Sequence, residues 1–256
     1  MAAFVDILAF EQATLLIAAV VLVYVGIIGL LAIRRNDPSG LKSVLRGGAV
    51  PLASVGAIAT ALGVWGEMAW PYPTGLTVYN IFFTDVYLLF GITLVVVAIS
   101  MALSLKLQFA DLFAAVAGAV TIGYGWNGYQ LGLTKDPLET FLLYGSFGLA
   151  ALVAFPATVL VDHYLTHADG TKAVFGTGVS LAFRTPSIQA STRAAGPVVP
   201  SVGVSSAEST DFPLRFRLPY YVPIIVLVFV VAMSLAAFAA FGYLNSTVPG
   251  HLASPP

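Results

Sequence analysis

Four carboxylates, Glu67, Asp85, Asp111 and Glu139, stand inside or at the ends of long apolar runs. An ionisable side chain is costly to desolvate in such a setting and is a functional candidate by default. Two of the four have a structural explanation. Asp136-Pro-Leu-Glu139 reads as a capping box, with Asp at the N-cap, Pro at the first helical position and Glu at the third. Asp111 opens an apolar run, where a negative charge favours the helix dipole. Glu67 and Asp85 are harder to explain. Glu67 closes an apolar run, at a helix C-terminus where the exposed carbonyls are already negative. Asp85 lies a turn or more inside the next run, after Ile81-Phe-Phe-Thr. The link Trp70-Pro-Tyr-Pro-Thr-Gly75 is short enough to bring both to one side of a membrane. Such a pair can hold a proton, coordinate a cation, or accept hydrogen bonds. Tyr79, Asn80, Tyr124, Trp126 and Asn127 fall in the same layer, and Asn80, Tyr124 and Asn127 complete the candidate proton or cation site. The plainer alternative has Glu67 reaching water and Asp85 capping a helix that begins late.

A second constellation is Asp162-His163-Tyr-Leu-Thr-His167-Ala-Asp169. His163 and His167 are four residues apart and share a face if the helix continues. That spacing can offer two ligands to a divalent metal, with Asp169 a third. The competing reading is two histidines at a helix C-terminus that favour the dipole and face water. The remaining histidine, His251, lies in the terminal tail, so a bis-histidine haem within the bundle is not expected. No Gly-rich phosphate motif and no Gly-Xaa-Ser-Xaa-Gly elbow occur. No cofactor is expected.

The elements that position these residues follow from hydropathy. Hydrophobic residues make up 59% of the 256-residue chain and charged residues 9%. Six stretches have the roughly 20 apolar residues that a bilayer-spanning helix needs: Ala13–Ile33, Ala49–Gly66, Ile81–Leu103, Ala110–Gly125, Leu138–Val161 and Tyr220–Tyr243. They do not alternate, which speaks against a β-barrel, and backbone groups in lipid are satisfied within a helix. The fold class is all-α, a polytopic membrane bundle. Ten of the eleven Lys and Arg residues fall on one side of this map, and Lys135 alone falls on the other. Cytoplasmic enrichment of Lys and Arg then puts the basic loops inside and both termini outside a cell membrane. Trp70, Tyr72, Trp126 and Tyr129 suit the outer headgroup layer.

No Lys or Arg precedes Arg34, so a cleavable signal is not expected. Cysteine is absent, which excludes disulfides, thiolate metal sites and a cysteine nucleophile. A net charge of −1 argues against a nucleic-acid partner, and the basic face suits anionic lipid. Residues 1–167 form a five-helix core. Residues 168–218, rich in Ser, Ala, Gly, Thr, Pro and Val, form a flexible linker with a possible hairpin over Ala173–Phe183. Residues 219–256 hold a linked sixth helix, whose packing the sequence leaves open. Ala59/Gly63 and Ala114/Gly118 have the small-residue spacing that lets membrane helices approach.

Trp70-Pro-Tyr-Pro, followed by Tyr79-Asn-Ile-Phe-Phe-Thr-Asp85-Val-Tyr-Leu-Leu-Phe-Gly91, resembles a family of predicted multi-spanning membrane proteins catalogued as domain of unknown function 981. Gly123-Tyr-Gly-Trp-Asn127 and Tyr144-Gly-Ser-Phe-Gly-Leu-Ala150 fit the same resemblance. It covers the second to fifth spans, implies a helical membrane fold, and supplies no reaction. Three functions remain. The first is a structural or accessory subunit, joined to other membrane subunits or to copies of itself. The second is a small proton- or cation-linked transporter or channel using Glu67 and Asp85. The third is a metal or redox enzyme subunit using His163 and His167.

Overall fold

A computed structural model describes residues 7–69, 77–170 and 221–253. They form six long helices and no strand among the described residues. Helix α1 is Ile7–Arg34 and α2 is Pro38–Ala69. Helix α3 covers residues 77–102 as one rod: a turn at Thr77–Tyr79, a π-helical turn at Asn80–Asp85, and the α-helix Val86–Ala102. Helices α4, α5 and α6 are Leu107–Leu131, Pro137–Gly170 and Tyr221–Ala253. All six are long and apolar enough to cross a membrane. The apolar stretches read from the sequence form their middles. Each helix runs further at one end or both, because hydropathy marks only the lipid-buried part of a rod.

Local chemistry sets the helix starts. Asp37 precedes Pro38, and its Oδ1 accepts from the Gly40 N–H at 2.9 Å and from the Ser39 hydroxyl at 2.7 Å, which caps α2. These two bonds hold the Asp37 carboxyl below its ordinary range. Pro137 likewise opens α5, and the Thr140 N–H donates to the Asp136 carbonyl as the first bond of that helix. Helix α4 has no cap of its own, since Lys106 makes no side-chain capping bond. Asp162 of α5 supplies one by accepting from the Gln108 N–H at 2.9 Å.

The helices close a ring. Each packs on its neighbours in sequence, and α6 returns to pack on both α1 and α5. Val222, Val226, Met233, Ala236 and Ala240 of α6 are buried in those contacts. The two most extensive contacts are α4 with α5 and α2 with α3, and both depend on missing Cβ atoms. A Cβ on Gly63 would lie 2.7 Å from the Leu88 backbone, and one on Gly118 would lie 2.6 Å from the Gly148 carbonyl oxygen. The packing role expected of Ala59/Gly63 and Ala114/Gly118 is therefore visible, and Ala59 and Ala114 are buried beside them. Large apolar side chains such as Val50, Phe109, Val116 and Phe238 cover the outside of the ring, as a lipid-facing surface requires. The linker and its possible hairpin lie outside the described residues, as does the Trp70–Gly75 link.

Candidate functional site

Glu67 and Asp85 come together where α2, α3 and α4 meet. Glu67 sits in the last turn of α2 and Asp85 closes the π turn of α3. The Thr84 hydroxyl lies between helices, with Glu67 Oε1 at 2.5 Å. It also contacts the Asn80 carbonyl. Tyr124 of α4 donates its phenolic proton to Asp85 Oδ2 at 2.7 Å. The Glu67 and Asp85 carboxyls lie close enough to interact with each other. Both residues are half-buried.

The π turn explains how the sequence makes this contact. A widened turn inserts one residue per turn and reorients the side chains that follow it. Its loosened carbonyls are satisfied from the side: Thr84 bonds that of Asn80, and the Tyr144 hydroxyl of α5 donates to that of Phe82 at 2.9 Å. Gly66 makes room, since a Cβ there would fall 2.5 Å from Thr84 Cγ2. The late-starting helix capped by Asp85 is not what forms. The rod begins at Thr77, and Asp85 makes no side-chain capping bond.

The other expected members divide. Asn80 is buried in the same turn but contributes its carbonyl. Asn127 does not join: it is exposed, and its Nδ2 donates to the Gly123 carbonyl of its own helix at 2.8 Å. Tyr79 donates to the Leu133 carbonyl instead. Glu139 is exposed in the first turn of α5. Helix α5 continues through Gly170, so His163 and His167 do share a face, with His163 half-buried. The side chains of His167 and Asp169 lie outside the described residues. Among the described residues no three His, Cys, Asp or Glu side chains converge as metal ligands.

A second polar region was not anticipated. The ring encloses a cavity of about 120 Å³ bounded by α1, α3, α4, α5 and α6, but not by α2. Glu11 and Gln12 line it, 3% and 2% exposed. Next to them the Thr14 and Tyr87 hydroxyls are 2.6 Å apart. Asp111 lines the other end. It was expected in the first turn of its helix, but α4 starts at Leu107, which moves Asp111 into the second turn and buries it. The capping is done by Asp162 instead. Glu11 and Gln12 escaped notice because they immediately precede the apolar stretch beginning at Ala13. Only the packing of neighbouring helices buries them.

A closed ring of six membrane-length helices defines a polytopic helical membrane protein. The chain belongs to the family described as protein of unknown function (DUF981), whose profile matches residues 1–177. No curated protein and no solved structure matches it.

Proposed function

We propose that this protein is a small proton-linked membrane transporter or channel in which the Glu67–Asp85 pair is the protonation site. One observation carries this reading: two carboxyls from different helices are brought together within an apolar bundle, Glu67 bonded by the Thr84 hydroxyl and Asp85 by the Tyr124 hydroxyl. Such a pair exchanges a proton as a unit. A bundle serving only as scaffold gains nothing from carboxyls desolvated at Glu67, Asp85, Glu11 and Asp111, and the cost of keeping them supports a working role. The charge bias of the loops supports a location for the pair in the outer half of a cell membrane. A groove of about 290 Å³ beside Asp85 and Tyr124, between α3 and α4, offers a route to it.

The test is proton uptake under an imposed pH gradient, in liposomes containing the purified protein and a trapped pH-sensitive dye. Glu67→Gln and Asp85→Asn are each expected to reduce uptake to the protein-free background. Unchanged uptake in both variants removes the pair from any such role. The accessory-subunit function makes a different prediction: a stoichiometric partner co-purifies in mild detergent, and the isolated chain carries no flux.

A further inference from the structure

The central cavity is a separate site, and its chemistry is one-sided. Its walls are mostly apolar, with the aromatic rings of Phe83, Tyr87, Phe90 and Phe147 among them. Phe90 and Phe147 meet edge to face at 5.8 Å, and Tyr87 stacks on Phe90 at 6.4 Å. The acidic groups on the wall are Glu11 and Asp111, and among the described residues no Lys, Arg or His lines it. Gln12 is almost fully buried on the same wall, and its Oε1 has no hydrogen-bond partner. Orphaned buried acceptors are uncommon in folded proteins, because an unmade bond there costs the full desolvation of the group.

The unmet polar demand shown in the cavity, at Gln12 Oε1, is thus for a donor, and the charged groups on its wall are acidic. The Thr14 hydroxyl nearby is engaged with the Glu11 carbonyl and with Tyr87. An anion would face two carboxyls with no compensating cation. A neutral hydrocarbon would leave Gln12 Oε1 unpaired. A protonated amine on an apolar body meets all three conditions: its charge pairs with Glu11, its N–H groups reach Gln12 Oε1, and the rings offer cation–π and apolar contact. The volume sets the size of the body. A cavity of about 120 Å³ matches one aromatic ring, since an apolar cavity of roughly 150 Å³ in another protein admits benzene.

The geometry points to the central cavity as a binding site for a lipophilic organic ammonium ion with a ring-sized apolar body, held by Glu11 and Gln12. The site uses neither Glu67 nor Asp85, so ammonium binding and proton uptake can fail independently.

The test is fluorine NMR of the purified protein in neutral detergent, with three matched probes: 4-fluorophenethylammonium, 4-fluorophenethyl alcohol and 4-fluorophenylacetate. Saturable binding of the ammonium is expected, about tenfold weaker binding of the alcohol, and no binding of the carboxylate. Glu11→Gln should abolish the preference for ammonium over alcohol, and Gln12→Leu should weaken both donors. The three-probe comparison on the unaltered protein decides the matter even where a variant fails to fold. Equal binding of ammonium and alcohol overturns the proposal, as does an ammonium signal identical to that in protein-free micelles. A preference that survives Glu11→Gln removes Glu11 from the site.

Discussion

The perimeter pair and the central cavity both hold desolvated carboxyls, yet they are built differently. At the perimeter, Glu67 and Asp85 lie together and are supplied with the hydroxyls of Thr84 and Tyr124. In the cavity, Glu11 and Asp111 stand at opposite ends of an apolar space and Gln12 Oε1 goes unanswered. A self-satisfied pair suits a species as small as a proton. An unsatisfied cavity suits a ligand that brings its own donors. The regions are near neighbours in sequence, since Asp85 precedes Val86, and Val86 lines both the cavity and the groove beside Asp85. One helix therefore serves both, and its π turn decides which residues face which way.

The largest effect should come from the α2–α3 seam, without which the perimeter pair cannot form. Gly63→Ala sets a methyl against the Leu88 backbone and is expected to destabilise by about 1–3 kcal/mol. Gly145→Ala, where nothing lies within 4 Å, should instead raise stability by roughly 0.5–1 kcal/mol through helix propensity. Melting temperatures in detergent compare the two. Equal effects would mean that the seam is looser than described.

Next in size is the separation of function. Glu67→Gln should stop proton uptake and leave ammonium affinity within about twofold, because Glu67 does not line the cavity. Gln12→Leu should do the reverse. Val86→Ala is expected to weaken both activities, since that side chain is the wall between the two spaces. A cross-effect from Glu67 on ammonium binding, measured with the same fluorine probes, would merge the two regions into one site.

A smaller effect is expected from Tyr124→Phe, which removes the proton donated to Asp85 Oδ2. A loss of about 1 kcal/mol in melting experiments follows, at the low end for a bond to an acidic group because Tyr124 is only half-buried. The smallest effect belongs to Asp37, remote from both regions. Its folded pKa lies below the ordinary 3.8, because the Gly40 N–H and the Ser39 hydroxyl favour the charged form. Its contribution to stability is therefore complete above about pH 4 and is lost as the pH falls through the lower folded value. Asp37→Asn should flatten that acid limb slightly and leave the neutral-pH melting temperature nearly unchanged.

Hydropathy revealed the six rods, because a bilayer forces length and apolarity on each of them. The suspicion attached to Glu67 and Asp85 also came from a local cost, a charge in an apolar run, and that cost is readable one residue at a time. Ring closure by α6 was not readable, since nothing in its uniformly apolar run says which helices it meets. The cavity was hidden for the same reason. Glu11 and Gln12 look like headgroup residues until α3 and α6 pack beside α1. Asn127 misled in the opposite direction: it lies in the right layer, but its position on α4 turns it outward to its own helix's Gly123 carbonyl. The π turn at Asn80–Asp85 has no hydropathy signature either, and the Tyr144 hydroxyl that bonds its Phe82 carbonyl comes from a helix distant in sequence.

The central claim is that Glu67 and Asp85 act as one protonation site. A double-mutant cycle on liposome proton uptake, comparing Glu67→Gln, Asp85→Asn and the double variant, tests it most directly. Groups that work as a unit lose everything with the first member, so both single variants and the double variant should fall to the same background rate. Partial losses in the single variants that add up in the double variant would contradict a shared proton, and full uptake in the double variant would end the pair's claim to function.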